Sequence, residues 1–198
     1  MVLKKIAAIC KAAGQIIILE DERRECQWVG TWKAQYPLDG YPVVDESTVF
    51  ALLDIPEKDR EKFQVYHTHA AYPGEYADSG MTEHLVADTK LQIVYGSQVL
   101  IPAADTQGGI CFYDPDKLKP LNDLRKQLDL YIRYNSKGDK IIAVKSGLLL
   151  QALFLPEEVE KDSLWEALAD VGSRMRRAEI QVDPETGEVL GGTDDENE

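Results

Sequence analysis

The chain has 198 residues, of which 44% are hydrophobic, and its formal net charge is −13. This length suits one large domain or two small ones, and the apolar fraction is sufficient for a substantial core. The acidic balance argues against nonspecific coating of DNA, which depends on neutralising phosphates with Lys and Arg. No apolar run reaches the roughly 18 residues that a membrane helix needs, so a membrane partner is not expected.

The first predicted element from the N-terminus is an amphipathic helix over residues 2–13. Apolar side chains at Leu3, Ile6 and Cys10 recur at helical spacing, and Gly14 then closes the helix. A signal peptide would need a longer apolar region, whereas Lys11 interrupts this one at once. The helix is therefore the preferred interpretation.

The three cysteines, Cys10, Cys26 and Cys111, are odd in number and widely separated. They form no C-x-x-C pair, so a disulfide framework is not expected and a reducing cytoplasm is the simpler location. All three have apolar neighbours, which predicts that they are buried as small hydrophobic side chains.

Short apolar runs alternate with turn residues through the middle of the chain, which predicts several strands. These predicted strands cover residues 15–20, 26–31, 33–38, 63–67, 91–95, 98–103, 110–113, 128–135, 140–145 and 148–155. Two short helices are predicted between them, over residues 46–53 and 114–124, with Asp45 and Asp114 as their N-caps. Residues 68–88 show no clear period and are predicted to be an inserted loop.

The C-terminal region is predicted to contain one more helix, over residues 163–178, with Ser163 and Glu166 at capping-box spacing. Its arginines suit the end of a helix dipole, and contact with phosphate is the alternative. The following residues, 181–198, form a predicted disordered acidic tail. From Asp183 onward this tail has seven acidic residues and no Lys or Arg, which leaves the body at −6.

The chain also contains an internal repeat. Val43–Ile55 and Phe112–Leu124 align without a gap at an offset of 69, which places Asp45 on Asp114. Around these segments, residues 33–104 and 108–156 can each be written as β-α-β-β-β, and such self-similarity constrains the whole fold. We therefore predict a single α+β domain over residues 1–180, a duplicated core to which the helices 2–13 and 163–178 are added.

Two β-α-β-β-β units side by side, with sheets outside and helices paired inside, resemble one domain of the DNA sliding clamp superfamily. The resemblance covers roughly residues 33–156 and is strongest from Phe112 to Pro156. It implies antiparallel sheets and a ring built from several copies, because a clamp subunit has two or three such domains and this chain has one. The N-terminal and C-terminal helices are additional to the clamp pattern.

The clamp resemblance also implies basic residues on the helices that line the DNA hole. The second predicted helix provides four candidates for DNA contact, namely Lys117, Lys119, Arg125 and Lys126. The first predicted helix provides none until Lys58, beyond its end. This difference argues against direct encirclement of DNA by this chain.

A second interpretation centres on the three histidines of the chain, His67, His69 and His84. Two imidazoles at i and i+2 on a strand project to the same face, so both could bind one zinc ion. The segment resembles the metal loop of JAB/MPN-type zinc metallopeptidases, whose signature is His-x-His followed by Ser and then Asp. His67 and His69 match the paired ligands, and Ser79 stands for the serine.

The match to the metallopeptidase signature is incomplete, because Thr82 occupies the place of the third ligand. Glu83 or His84 would have to substitute for it, and no upstream glutamate can be assigned as the general base. The structural alternative is a pair of histidines at the end of a strand that enters a polar loop.

The sequence thus favours a noncatalytic, cytoplasmic binding or assembly module, clamp-like in architecture and of phage or mobile-element origin. Its partner is expected to be a protein or a second copy of the chain, with DNA as a further candidate and no cofactor. The alternative is a zinc-dependent hydrolase that uses His67 and His69, with zinc as its cofactor.

Overall fold

The structure is a computed structural model that describes residues 1–21, 26–69, 82–86, 91–104, 110–134, 138–159, 181–182 and 189–190. The chain divides into two compact units, residues Met1–Glu157 and Glu158–Glu198. In the second unit, the two short segments Gln181–Val182 and Val189–Leu190 pair as antiparallel strands. The predicted helix 163–178 lies outside the described residues, as does most of the predicted acidic tail 181–198.

The first unit mixes short helices with many strands, which confirms the predicted α+β class. Its helices are α1 (Leu3–Ala13), α2 (Val49–Leu52), α3 (Glu57–Arg60) and a 3₁₀ helix (Pro115–Gln127). Its strands are β1 (Gln15–Asp21), β2 (Cys26–Thr31), β3 (Ala34–Pro37), β4 (Gln64–Thr68), β5 (Thr82–Leu85), β6 (Ile93–Tyr95), β7 (Gln98–Ala104), β8 (Ile110–Tyr113), β9 (Leu128–Tyr134), β10 (Lys140–Ser146) and β11 (Leu149–Phe154). No described helix combines the length and the apolar character that a bilayer crossing requires.

Eight strands form the main sheet, in the order β4-β1-β2-β3-β11-β10-β9-β5. The β1–β4 pair is parallel and the other pairs are antiparallel. β1 is a run of β-branched and apolar residues, and the residues Ile16–Leu19 at its centre are fully buried. This pattern is typical of a strand that is covered on both faces.

The two halves of the main sheet join where β3 pairs with β11. Two pairs define this contact, Gln35 with Leu153 and Ala34 with Phe154, and the Leu155 amide donates to the Lys33 carbonyl. β2 approaches β3 so closely here that a Cβ at Gly30 would lie 2.0 Å from the Ala34 carbonyl oxygen. Only glycine fits this position without displacement of the backbone.

Each face of the main sheet carries its own buried cluster. On one face, Ile6 and Cys10 of α1 and Leu121 of the 3₁₀ helix pack against strand residues such as Ile18 and Ile142. On the other face, a second cluster contains Ile17, Leu19, Trp28, Ile141, Ala143, Leu150 and Leu153. The alternation of side chains along each strand thus assigns neighbouring apolar residues to different clusters.

A smaller sheet of three strands, in the order β6-β7-β8, packs its buried end against the first cluster. Ala103 and Cys111, which are opposite each other on β7 and β8, belong to that cluster. The three cysteines are free, and two of them, Cys10 and Cys111, are buried as predicted.

The sheet topology does not confirm the duplicated clamp-like arrangement. In the second predicted repeat, β9, β10 and β11 are consecutive neighbours, whereas in the first repeat β4 pairs with β1 and only β6 and β7 are neighbours. β8, which was assigned to the second repeat, pairs with β7 of the first. The two predicted repeats therefore share helix caps and apolar positions, but their strands pair differently.

The two predicted short helices exist, but their form differs from the prediction. The Asp45 carboxylate accepts hydrogen bonds from the Ser47 and Thr48 amides, yet the helix that follows is only the single turn α2. The Asp114 carboxylate accepts from the Asp116 amide and opens a 3₁₀ helix instead of an α-helix. Pro120 inside that segment has no amide hydrogen to donate, which disfavours regular α-helical bonding.

The 3₁₀ helix is attached to the end of β11 by an ion pair that is shielded from solvent. The side chain of Lys117 is 7% exposed, and its ammonium lies 2.5 Å from a carboxylate oxygen of Glu157 and donates to the Leu155 carbonyl. Partial burial raises the pKa of Glu157, but the ammonium groups of Lys117 and Lys33 outweigh it and hold that pKa below its ordinary value. The Tyr36 hydroxyl also donates to the Lys117 carbonyl.

We predict that Glu157→Gln lowers the free energy of unfolding by about 3–5 kcal/mol, because the Lys117 ammonium would remain buried without its carboxylate. Lys119→Met is the matched control, since it removes only the exposed pair with Asp116, which is worth about 0–1 kcal/mol. Urea denaturation measures both changes. Equal, small losses for the two variants would contradict the assigned role of the Lys117–Glu157 pair.

Candidate functional site

His67 and Glu20 form a carboxylate–imidazole pair at the β4 edge of the main sheet. The parallel register places Ile18 opposite His67, so Glu20 projects from the same face two residues further along β1. His67 Nε2 lies 2.6 Å from Glu20 Oε1, which also accepts a hydrogen bond of 2.6 Å from Gln27 Nε2. Gln27 itself is fixed by two hydrogen bonds to the backbone of Val44.

These contacts keep Glu20 ionised. Desolvation raises the pKa of Glu20, but the hydrogen bonds from Gln27 and His67 and the nearby imidazoles outweigh it, so the pKa lies below its ordinary value. The carboxylate therefore accepts hydrogen bonds from two neighbouring strands and orients the His67 ring.

His69 follows on the same strand face, and its ring stacks on that of His67 with 6.2 Å between the centroids. It borders a cavity of about 560 Å³, whose polar lining consists of Glu20, Asp21, Gln27, Asp39, Tyr41 and His69. Asp21 is buried in this wall and accepts a hydrogen bond from the Trp28 indole. The cavity is thus acidic, and two of its carboxylates, those of Glu20 and Asp21, already have partners within the sheet.

The predicted third histidine is not beside the other two. His84 lies on β5, opposite Ile132 of β9, and its ring packs edge-on against that of Tyr134. β5 and β4 are the two ends of the eight-stranded order, so His84 and His67 belong to opposite edges of the sheet. The described part of the chain contains no group of three His, Cys, Asp or Glu side chains placed to bind a metal ion.

Glu83, the other predicted substitute for the third zinc ligand, has a different role. Its carboxylate forms ion pairs with the guanidinium of Arg133, at 2.8 Å, and with the ammonium of Lys145. These pairs link β5 to β9 and β10. Ser79, the predicted serine of the metallopeptidase signature, lies outside the described residues.

The four basic residues predicted to contact DNA have different environments. Lys117 is buried in its pair with Glu157, so it is not on the exposed surface of the 3₁₀ helix. Lys119 is exposed and forms a pair of 2.7 Å with Asp116. Arg125 and Lys126 are exposed in the last turn. Contact with DNA stays a prediction for Lys119, Arg125 and Lys126, and the buried Lys117 is not available for it.

An apolar groove of about 590 Å³ lies between the 3₁₀ helix, β9 and the small sheet. Its apolar wall includes Leu85, Leu91, Ile101, Leu118 and Leu128, and two cations, Lys119 and Arg125, and two carboxylates, Asp116 and Asp129, border it. Leu85 and Leu91 are 52% and 60% exposed. The volume of the groove lies within the range of sites that bind ligands or peptide segments.

Sequence reasoning missed this groove, because its wall combines segments that are far apart along the chain. Leu85 comes from the region predicted to be a loop, and Leu118 and Leu128 come from the two ends of the 3₁₀ helix. The one signal in the sequence is Leu85, an apolar residue in the predicted loop 68–88, close to Leu91 at the start of the predicted strand 91–95.

Further exposed aliphatic side chains extend the apolar surface beyond the groove. Val94 and Val99 are opposite each other on β6 and β7, on the same face as the groove residue Ile101. At the other end, Leu148 and Leu149 form the tip of the β10–β11 hairpin and are 95% and 69% exposed. Exposed aliphatic side chains therefore occur on the small sheet and at the hairpin tip as well as in the groove.

No family model matches the chain, and neither the curated proteins nor the solved structures include a significant match. The geometry of the site is therefore the basis for the functional argument.

We predict that Glu20→Gln destabilises the protein at neutral pH and that this loss disappears as the pH falls. Because the pKa of Glu20 is lowered by folding, its contribution is present above the ordinary value near 4.5 and is lost as pH falls through the folded-state pKa. Urea denaturation at several pH values from about 6 to 3 measures the effect. In a His67→Ala background, Glu20→Gln should lower the free energy of unfolding by less than it does in the unsubstituted chain. If the effects of the two substitutions simply add, Glu20 and His67 do not stabilise the fold through their contact.

Proposed function

We propose that the protein is a noncatalytic binding and assembly module of the cytoplasm that receives an apolar segment of a protein partner in the groove beside the 3₁₀ helix. The observation that carries this proposal is the exposed leucine surface of the groove, with Leu85 and Leu91 more than half exposed. In water such a surface is unfavourable, and its burial by a partner would contribute roughly 1.5–3 kcal/mol for each fully covered leucine.

The form of the groove supports a segment in preference to a broad, flat partner. Its volume of about 590 Å³ lies in the range of concave sites that enclose most of a ligand. The 3₁₀ helix borders one side and the strands of the small sheet border the other, so much of the wall belongs to regular elements, although Leu91 precedes β6 and lies outside any strand. Such walls limit the entropy that a binding event would lose.

A clamp-like role would depend on assembly of the chain with further subunits. One domain of this size cannot encircle DNA, so a clamp-like role, in a phage or mobile element, would require association of the chain with other proteins or with itself. Contact with DNA would then depend on Lys119, Arg125 and Lys126, which are exposed on one short helix. Their number is small beside the net charge of −13, so protein is the proposed partner ahead of DNA.

The zinc hydrolase remains the alternative function, and the described geometry gives it less support. A catalytic zinc needs three protein ligands and an open position. Among the candidate ligands that the structure describes, only His67 and His69 are adjacent, and the His67 Nε2 atom already faces Glu20.

A peptide of alternating leucine and glutamate residues tests the proposed docking. We expect this probe to bind, as measured by fluorescence anisotropy on dilute protein, and Leu85→Asp/Leu91→Asp to weaken binding about tenfold or more because apolar contact area is lost. Val43→Asp is the matched control, since Val43 is 84% exposed and lies outside the groove lining. Equal affinity of both variants and the unsubstituted chain would rule the groove out.

Metal analysis separates the two functions. Protein purified without a histidine tag is expected to contain zinc far below one equivalent, and His67→Ala/His69→Ala is expected to leave the peptide affinity unchanged. Stoichiometric zinc that disappears in this double variant would instead support the hydrolase and contradict the noncatalytic proposal.

A further inference from the structure

The tip of the β10–β11 hairpin and the apolar groove lie side by side on one face of the main sheet. The ladder pairs Leu149 with Ser146, and Ser146 with Leu128, so these three side chains project from the same face. Leu128 lines the groove. Leu149 is therefore about two strand spacings, roughly 10 Å, from the groove residue Leu128.

The hairpin tip does not fill the groove of its own chain. Leu148, in the turn beside Gly147, is 95% exposed, and Leu149, the first residue of β11, is 69% exposed. The same surface thus presents a projecting pair of leucines and, next to it, a concave site lined by leucines.

A projection and a matching recess on one surface are the requirements of an isologous dimer. In a two-fold symmetric contact, if residue i of one copy contacts residue j of the other, then residue j of the first copy contacts residue i of the second. The projection of each copy can therefore enter the recess of the other at the same time. The groove volume of about 590 Å³ exceeds that of two leucine side chains. The hairpin connects two strands of the central sheet, so it is presented on a supported element.

We infer that the groove is filled by the Leu148–Leu149 hairpin tip of a second copy of this chain, in a two-fold symmetric dimer. This inference rests on the proposed function, because it names the partner segment for the same groove. Burial of two leucines from each copy removes four exposed leucines from water, and each one strengthens the dimer by about tenfold or more.

The charge of the chain distinguishes a second copy from an acidic partner protein as the occupant of the groove. Each copy has a net charge of −13, so two copies repel one another and screening by salt favours the dimer. An acidic partner protein held by Lys119 and Arg125 would show the opposite dependence and bind more weakly as salt is raised. The sign of the salt effect thus identifies the occupant of the groove.

Sedimentation equilibrium of the full chain tests the inference. We expect a concentration-dependent dimer that strengthens with salt, and more than a hundredfold weakening in Leu148→Ser/Leu149→Ser, because each substitution acts twice in the dimer. Val43→Ser, an equally exposed apolar position outside the groove lining, should leave the dimer unchanged. A chain that stays monomeric at all concentrations, or a dimer that is insensitive to both leucines, would overturn the inference.

Disulfide trapping then tests the geometry. Leu148→Cys and Asn122→Cys are placed on separate copies in a Cys26→Ser background, so that a bond between them can form only across the interface. We expect the mixture to cross-link much faster than either variant alone, because Asn122 lines the groove. Equal rates in the mixture and in the separate variants would contradict the proposed contact.

The outcomes also separate this inference from the proposed function. If the chain is monomeric but the leucine–glutamate peptide binds the groove, the second copy is excluded and the docking function stands. If neither the dimer nor the peptide complex forms, both proposals fail.

Discussion

The pairing of β3 with β11 is the contact on which the rest of the structure depends. Two ladder pairs and one further backbone hydrogen bond join strands that are more than a hundred residues apart in the sequence. Around them, Tyr36 and Phe154 pack edge-on in the core, and the carboxylate of Glu157 binds both Lys33 and Lys117. Closing so long a loop costs conformational entropy, which this combination of apolar burial and buried charge pairing offsets. Without it the main sheet would be two separate four-stranded sheets.

This junction also determines where the apolar groove forms. Lys117 attaches the start of the 3₁₀ helix to the end of β11, and the helix continues directly into β9, where Leu128 begins the strand. The groove wall is therefore fixed by the same network that joins the halves of the sheet. The β10–β11 hairpin turns beside the start of β9, where Ser146 pairs with Leu128, which places Leu149 beside the groove. A binding surface made from supported elements in this way requires little rearrangement on association.

The sequence predicted local structure well and long-range structure poorly. The strands β1, β2 and β8 have the predicted bounds within one residue, because their β-branched and apolar runs are short and end at turn residues. The caps Asp45 and Asp114 were recognised because a side-chain oxygen before a short helix has a local physical role. β5 was missed inside the predicted loop 68–88, since its four residues gain their order from pairing with β9. The period of apolar residues does not show which strands pair with each other. The internal repeat therefore predicted the same strand order in both halves, and the sheets have different orders.

Hydrogen–deuterium exchange at low and high protein concentration shows whether the groove and the hairpin tip together form the docking surface. We expect that raising the protein concentration slows amide exchange in the 3₁₀ helix, Pro115–Gln127, and around Leu148 and Leu149. The exchange rate of β4, which contains His67, should not change. Such a pattern requires both regions to be covered in one association event. Exchange that is independent of concentration, or slowing confined to β4 and the acidic cavity beside it, would contradict the claim.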